Sequence, residues 1–262
     1  MFTVAEFVKF MKEIAPLDMA ASWDNVGLLL GDYQAPVKKV MTCLTLSPDV
    51  ADEAIEEEAD TIVTHHPIFF KPARSLTTGS PESAMLLKLV RAGIAVYSAH
   101  TAYDNTVGGI NERLAVDLSL GDIEPLREAV SGKTMGEGRM GVLPKRIPLG
   151  DFVGTVKKIT KTSCVQTCGD LDRMVDKIAI ACGAGGEFLR DAMRAHAHVF
   201  VTGELRFHDC LAAKAAGLSL CLPGHFASER LGLEYLAAQI GRELPGVSAW
   251  AAKRECDPIS MI

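Results

Sequence analysis

The strongest constraint on the fold of this chain is an internal repeat. Segment 39–66 aligns without gaps on segment 177–204, with a constant offset that matches Thr64 to Thr202. Each segment reads as an apolar strand, an amphipathic helix and a second apolar strand. Strands that alternate with helices predict parallel or mixed sheets covered by helices on both faces. The repeat therefore predicts an α/β fold built from two pseudo-symmetric halves.

A second pair of segments extends the repeat. R-A-G-I-A-V-Y-S-A-H-T-A-Y-D, which ends at Asp104, resembles A-A-G-L-S-L-C-L-P-G-H-F-A-S-E, which ends at Glu229. Each contains a helix end, a glycine, an apolar strand and then His-x-x-x-acid, so His100 and Asp104 correspond to His225 and Glu229. Units of strand and helix also resemble one another by composition alone. Two copies of His-x-x-x-acid at equivalent strand ends are harder to explain in that way.

The middle of the chain, about 121–149, is richer in glycine, proline and charged residues. We expect the boundary between the two halves to lie there. The predicted domains are 1–125, with the T-H-H-P and His-x-x-x-Asp motifs, and 126–262, with His-x-x-x-Glu. Their mixed sheets are expected to face a central dinuclear metal cleft. The alternating run 135–142 predicts an edge strand or a hairpin.

The stretch T-I-V-T-H-H-P places two histidines at the end of a buried apolar strand, Thr61–Thr64. Neighbouring side chains on a strand point to opposite faces, so His65 and His66 can reach one site only if the strand ends there. Pro67 agrees, because proline has no N–H for a sheet ladder. Open α/β sheets usually bind ligands at the carboxyl ends of their strands, and imidazole is the commonest metal ligand among side chains.

Six side chains at predicted strand ends are candidate ligands: His65, His66, Asp104, His225 and Glu229, with His100 as a sixth. This set is too large for one closed tetrahedral site and suits two divalent ions with open coordination positions. Imidazole and carboxylate together favour zinc, iron or manganese. Paired ions roughly 3.5–4 Å apart can clamp the attacking and leaving oxygens of a displacement.

Each candidate, taken singly, could instead be a hydrogen-bonded histidine or a solvated acid, and we assign His196, His198 and His208 to that class. Glu204 matches His66 in the repeat. It is a candidate base or an acceptor behind the ligands, and a plain helix start is the alternative. The turn G-A-G-G-E from Gly183 lacks dinucleotide spacing and any Gly-Lys-Ser, so a tight turn is favoured over an anion site.

Composition excludes several classes of protein. The net charge of −6 gives no electrostatic footprint for nucleic acid or an anionic membrane. No stretch approaches 18 uninterrupted apolar residues, and the amphipathic helix predicted at Val4–Ile14 is not a signal peptide. The seven cysteines are odd in number and scattered, which favours a cytoplasmic protein over a disulfide framework. Cys164 and Cys168, four residues apart without a second pair, do not indicate a structural zinc site.

With these residues assembled, the chain resembles the NIF-three-like family, dinuclear-metal-centre proteins that form toroidal hexamers. Five motifs carry the resemblance in the family's order: W-D-N-V-G-L-L-L-G-D at 23–32, T-H-H-P at 64–67, H-T-A-Y-D-N at 100–105, T-G-E at 202–204 and G-H-F-A-S-E at 224–229. The resemblance implies two divalent ions per subunit in a ring-shaped homohexamer. The short middle indicates the form without an inserted domain.

Carried over by position, the resemblance implies that four residues each bind one ion and that Glu229 bridges both. The four are His65, His66, Asp104 and His225. His100 matches a family histidine beside the metals. Family members are often labelled GTP cyclohydrolase 1 type 2 homologues, but nothing in this sequence reads as a guanine pocket.

Two functions are compatible with these residues. The first is a metal-dependent hydrolase that cleaves a C–N or P–O bond of a small molecule, as in a GTP cyclohydrolase, a phosphoesterase or a cyclic amidase. His100 or Glu204 would move the proton. The second is a non-enzymatic scaffold or partner-binding ring that depends on the metal. The substrate has no recognisable code in the loops.

Overall fold

The computed structural model describes residues 2–128 and 135–260. The chain forms two compact units. Unit 1 comprises Met1–Tyr103 and Leu233–Cys256, and unit 2 comprises Asp104–Gly232 and Asp257–Ile262. No helix in the described ranges is both long and apolar enough to cross a membrane.

Strands and helices alternate through most of the described chain. The strands are β1 (Phe2–Thr3), β2 (Gly27–Leu30), β3 (Pro36–Val37), β4 (Lys39–Cys43), β5 (Thr61–Thr64), β6 (Ala95–Ser98), β7 (Gly121–Glu124), β8 (Arg127–Glu128), β9 (Gly136–Glu137), β10 (Arg139–Pro148), β11 (Gln166–Cys168), β12 (Met174–Ala181), β13 (Val199–Thr202), β14 (Ser219–Leu222) and β15 (Ser248–Ala251). The helices are α1 (Val4–Ile14), α2 (Pro48–Glu56), α3 (Pro81–Ala92), α4 (His100–Asn105), α5 (Ile110–Asp117), α6 (Leu149–Ile159), α7 (Leu189–Arg194), α8 (Phe207–Ala215) and α9 (His225–Glu243), with 3-10 turns at Leu17–Met19 and Gly185–Phe188.

The main sheet of unit 1 has the strand order β15-β4-β5-β6-β2. The first four strands are parallel, and β2 runs antiparallel to β6. Met41, Ile62 and Val96 lie side by side across β4, β5 and β6, and all three are buried in one hydrophobic core. The apolar faces of α2 and α3 complete that core, and these helices form the crossovers that connect the parallel strands β4, β5 and β6.

Local signals set the bounds of the unit 1 helices. Ser47 and Ser80 accept hydrogen bonds from the first turns of α2 and α3, and a proline follows each serine at the first helical position. Gly93 ends α3 in the left-handed conformation, at a φ of 71°. Defined helix ends therefore bound the segment between β4 and α2, the loop between β5 and α3, and the turn from α3 into β6.

The main sheet of unit 2 has the order β11-β14-β13-β12-β10-β7. The strands β12, β13 and β14 are parallel to one another. β11 runs antiparallel to β14, β10 runs antiparallel to β12, and β7 runs antiparallel to β10. Ile180, Val201 and Cys221 point into the core on one face, where α6 packs. Phe200 and Leu220 point into the core on the other face. The sheet is buried on both sides, as the near-continuous apolar strands predict.

The mixed α/β fold predicted from the repeat is confirmed. The parallel strands β4, β5 and β6 alternate with α2 and α3, and β12, β13 and β14 alternate with α7 and α8. Each series ends on a helix that begins with a candidate histidine, His100 of α4 or His225 of α9. The strands β5 and β13 start and end at matched positions of the alignment.

Two details differ from the sequence-based expectation. The run predicted as an edge strand or hairpin is divided between β9 and β10, and β10 lies one strand in from the edge because it pairs with both β12 and β7. The strand β15 was not predicted. It pairs in parallel with β4, so the segment Leu233–Cys256 belongs to unit 1. The division of the repeat at residue 125 stays a prediction.

Candidate metal centre

The T-H-H-P motif ends β5 in unit 1, and its backbone continues the sheet pairing for two more residues. The N–H groups of His65 and His66 donate to the carbonyl oxygens of Cys43 and Leu44, both at 2.9 Å. Ser98 also donates to the His65 carbonyl, at 2.9 Å. The strand ends at this point, and both imidazoles lie beside a third one.

That third imidazole belongs to His100, at the start of α4. Its ring centroid lies 5.0 Å from the ring of His65 and 5.5 Å from the ring of His66. One potential ligand atom from each of the three histidines lies within 4.8 Å of the others. His65 is fully buried, and the other two are half-buried. This histidine cluster could hold a metal ion, because several donors of the type preferred by zinc or iron converge in one place.

Hydrogen bonds at Nδ1 orient two of these rings. His66 Nδ1 lies 2.7 Å from Thr45 Oγ1, and His100 Nδ1 donates to Asp24 Oδ1 at 2.8 Å. Histidines that bind metals usually hold their second ring nitrogen in such a contact, which fixes the tautomer and the ring plane. The two contacts therefore orient both rings through Nδ1.

Asp24 is a buried carboxylate in the Trp-Asp-Asn turn before β2. It accepts hydrogen bonds from His100 and from both the N–H and the hydroxyl of Thr101. Burial alone would raise the pKa of Asp24, but the hydrogen bonds from His100 and Thr101 outweigh burial and lower the pKa to about 2. Asp24 is therefore ionised at neutral pH. Sequence reasoning missed this role, because the motif reads only as a turn.

Thr45 is itself held in place by the end of unit 1. The Glu255 carboxylate accepts the N–H groups of Leu44 and Thr45, at 3.0 and 2.6 Å. Glu53 on α2 accepts the N–H groups of Lys253 and Arg254, at 2.8–2.9 Å. We call the pair Glu53 and Glu255 the carboxylate clasp. It fixes the backbone that presents the Thr45 hydroxyl to His66.

Replacing Thr45 by valine tests this orientation. The change removes the hydroxyl and keeps the branched side chain, so His66 loses its contact at Nδ1. We expect the affinity for Zn²⁺ to fall about 10- to 100-fold, the usual cost of losing such a partner. Titration against a competing chelator measures the affinity. Thr45→Ser restores the hydroxyl and should restore binding, whereas equal affinity for valine and threonine would contradict the assigned role.

In unit 2, α9 begins at His225 and brings Glu229 one turn later onto the same face, as the spacing predicts. His225 Nε2 lies 3.1 Å from Glu229 Oε2, and His225 Nδ1 donates to Glu204 Oε1 at 3.1 Å. The imidazole thus lies between two carboxylates. The hydrogen bond to Glu229 is the largest cause of a raised pKa for His225, which reaches about 9 against the opposing effect of burial. The two carboxylates therefore favour positive charge at the imidazole of His225.

Two glycines, Gly183 and Gly203, provide the space around the Glu229 carboxylate and His225. Gly183 has a φ of +68°, and a Cβ there would overlap Glu229 Oε1 and lie 3.2 Å from His225 Nε2. A Cβ at Gly203 would lie 2.6 Å from the Gly183 oxygen and 2.7 Å from His225 Cα. Only glycine at both positions allows the carboxylate and the imidazole to approach this closely. The sequence did not reveal the steric role of either glycine, because a sequence does not show which atoms approach a glycine.

The G-A-G-G-E turn uses its amides internally. The Gly183 N–H donates to Ser228 Oγ at 2.9 Å, and the Gly185 N–H donates to Thr202 Oγ1 at 3.0 Å. Thr202 Oγ1 in turn donates to the Gly183 carbonyl at 3.1 Å. The tight-turn interpretation is therefore confirmed. The turn shapes the space around Glu229.

Asp104 lies within reach of the same part of unit 2. Its negative charge and that of Glu229 both act on Cys182, whose pKa is raised well above the usual range by burial and then by these carboxylates. Asn111 holds this arrangement, because it donates to the Asp104 carbonyl and accepts the Cys182 N–H. Cys182 is a neutral thiol here. Sequence reasoning did not assign it to the site.

The histidines assigned to other roles lie elsewhere. His196 has a φ of 53° and follows the end of α7. His198 Nδ1 pairs with Asp176 at 2.7 Å, and His208 packs against Phe207. In the part of the chain that the structure describes, none of these three belongs to a group of three potential ligands, and neither does Cys164 nor Cys168.

Similar proteins match almost the whole length of this chain. A family model described as Duf34/NIF3 (NGG1p interacting factor 3) matches residues 2–258. The chain is 29% identical to a Clostridium perfringens protein named GTP cyclohydrolase 1 type 2 homolog, over 98% of each chain. It is 33% identical to the Schizosaccharomyces pombe Protein NIF3 homolog, over 96% of this chain and 95% of that protein. A solved Staphylococcus aureus hypothetical protein superposes with a TM-score of 0.91 at 27% identity, over 99% of both chains.

Proposed function

Because this chain belongs to the Duf34/NIF3 family, we propose that it binds two divalent metal ions and hydrolyses a small molecule with them. One observation carries the proposal. In each unit, candidate ligands stand at the carboxyl ends of parallel strands, and a ligand histidine has its Nδ1 held by an acceptor or hydroxyl from another loop. Histidines that bind metals usually have their second ring nitrogen held in this way, which fixes the tautomer and the ring plane.

We propose that the ligands are those implied by the family pattern. His65, His66, Asp104 and His225 would each bind one ion, and Glu229 would bridge both. Three imidazoles and two carboxylates suit zinc, iron or manganese. The glycine-lined space at Glu229 and the position of His225 between two carboxylates support this set. The family resemblance of the sequence motifs supports a ring-shaped homohexamer. The odd number of scattered cysteines supports a cytoplasmic location.

The bound ions would polarise the substrate and make a water nucleophile available near neutral pH. His100 is the residue best placed to take the proton of that water, because its Nδ1–H is held by the ionised Asp24 and its Nε2 is directed away from that bond. Asp24 would stabilise the imidazolium that results. His100 would then donate the proton to the leaving nitrogen or oxygen.

Glu204 has a different role in this proposal. Its carboxylate is engaged with His225 Nδ1, so it orients a ligand and does not act as the base. Of the two residues that the sequence offers for proton transfer, the hydrogen bonds favour His100.

A second candidate function is a metal-dependent scaffold, and one observation favours it. Phe207 and Leu211 stand four residues apart on α8 and are 72% and 48% exposed. Residues with this spacing share one helix face, and apolar side chains exposed together mark contact surfaces between proteins. Such a face would serve a partner protein or the proposed homohexamer.

Metal removal separates the two functions. We expect the purified protein to hold two divalent ions per chain and to hydrolyse one of a panel of phosphoesters, cyclic amides and GTP. The panel includes GTP because several relatives carry the GTP cyclohydrolase 1 type 2 homolog name. A chelator should abolish turnover, and Mn²⁺ or Zn²⁺ should restore it. Two bound ions without metal-dependent turnover on any class would favour the scaffold.

A further inference from the structure

Two exposed aromatic side chains stand against the histidine cluster of unit 1. The rings of Trp23 and Phe70 are nearly parallel, with an interplanar angle of 18° and centroids 6.0 Å apart. Both stand almost perpendicular to the ring of His100, with centroids 5.9 and 5.6 Å from it. The apolar pair therefore borders the imidazole to which we assign proton transfer.

The backbone that carries the pair is held by hydrogen bonds on both sides. Asp24, next to Trp23, is bound by His100 and Thr101. Asn25 Nδ2 donates to the carbonyl oxygen of Phe69 at 2.7 Å, which ties the Trp23 turn to the Phe70 loop. Hydrogen bonds of the flanking residues thus hold the backbone that carries these two rings.

The exposure of these rings has no explanation in the packing of unit 1. Trp23 and Phe70 are each 57% exposed, although large aromatic side chains are mostly covered in soluble proteins. The two rings stack on each other and leave much of their surface to solvent. An aromatic surface beside His100 is suited to a planar ligand, because aromatic faces stack on any flat ring.

We propose that Trp23 and Phe70 form a stacking platform for a planar heteroaromatic ring of the substrate, such as a nucleobase. The inference deepens the proposed function, on which it rests, by naming the substrate class of the same site. The platform would orient the ring beside His100, so that the bond to be cleaved lies on or next to that ring. A ligand without an aromatic ring lacks the π-face that stacks on such side chains and would gain less from this surface.

Tryptophan fluorescence tests the platform directly. The chain has two tryptophans, so Trp250→Phe leaves Trp23 as the one reporter. In this background, titration of the metal-loaded protein with guanosine and adenosine monophosphates is expected to quench the fluorescence saturably. Ribose 5-phosphate lacks the heteroaromatic ring and should not quench the fluorescence. Phe70→Leu should weaken nucleotide binding about 5- to 20-fold, as expected for one lost stacking partner.

Tyr33→Leu is the matched control, because Tyr33 is an aromatic residue of the same unit that is 53% exposed. It should leave nucleotide binding unchanged. The platform would be overturned if Phe70→Leu and the unchanged protein bound the nucleotides with equal affinity. It would also be overturned if ribose 5-phosphate quenched the fluorescence as strongly as the nucleotides. A loss of bound metal or a change of oligomeric state in Phe70→Leu would overturn it too, since the pair would then serve packing or subunit contact. Ring-dependent binding without turnover would overturn the hydrolase and leave the platform standing.

Discussion

Replacement of Glu229 by alanine is expected to reduce the bound divalent metal from two ions per chain to none. Glu229 is buried, its Oε2 lies 3.1 Å from His225 Nε2, and the family pattern gives it to both ions. The change also removes the largest cause of the raised pKa of His225. Elemental analysis of the purified protein measures the result directly.

Two further variants sharpen that measurement. Glu229→Gln keeps the side-chain volume in the glycine-lined space and removes the charge, so a loss of metal there is electrostatic and not a packing effect. His196→Asn is the matched control, since asparagine tolerates the left-handed backbone of that position and we assign His196 no ligand role. Two ions retained in Glu229→Ala, or a large loss in His196→Asn, would contradict the proposed ligand set.

The second large effect is expected at Gly203, where alanine should both destabilise the protein and weaken metal binding. Its Cβ would lie 2.6 Å from the Gly183 oxygen, 2.7 Å from His225 Cα and 2.9 Å from Ser228 Oγ. The first two are backbone atoms, which cannot turn aside as a side chain can. We expect the free energy of unfolding to fall by about 1–3 kcal/mol, the usual cost of overpacking. Denaturant unfolding measures it.

Gly154 offers a control of opposite sign. It lies on α6, and a Cβ there would meet nothing within 4 Å. Gly154→Ala should therefore raise the free energy of unfolding by up to about 1 kcal/mol, because alanine favours the helix. Metal affinity should fall more than tenfold in Gly203→Ala and stay unchanged in Gly154→Ala. If both variants bound metal equally, the close contacts at Gly203 would have no part in metal binding.

Features set by local chemistry could be predicted from the sequence. The bounds of α1 and β5 follow from the amphipathic period and from Pro67. The start of α9 at His225 brings Glu229 onto the same face because the i, i+4 spacing is a property of any helix. The repeat extended this local information across the chain, since it matched α4 to α9 and predicted the mixed sheets.

The features that were missed depend on residues distant in the sequence. The strand β15 pairs with β4 across most of the chain, and no local pattern names its partner. Thr45 and Asp24 orient His66 and His100 through hydrogen bonds that require the folded sheet. The roles of Gly183 and Gly203 depend on which atoms a Cβ at these positions would approach, and only the folded structure shows those atoms.

The carboxylate clasp has a practical consequence for handling this protein. Glu255 holds the Thr45 backbone, and the Thr45 hydroxyl contacts His66, so a continuous chain of hydrogen bonds joins the carboxyl-terminal segment to a proposed metal ligand. A purification tag or fusion partner that displaces Glu255 also disturbs the Thr45 backbone and its contact with His66. The position of a tag therefore also affects the orientation of His66 in the histidine cluster.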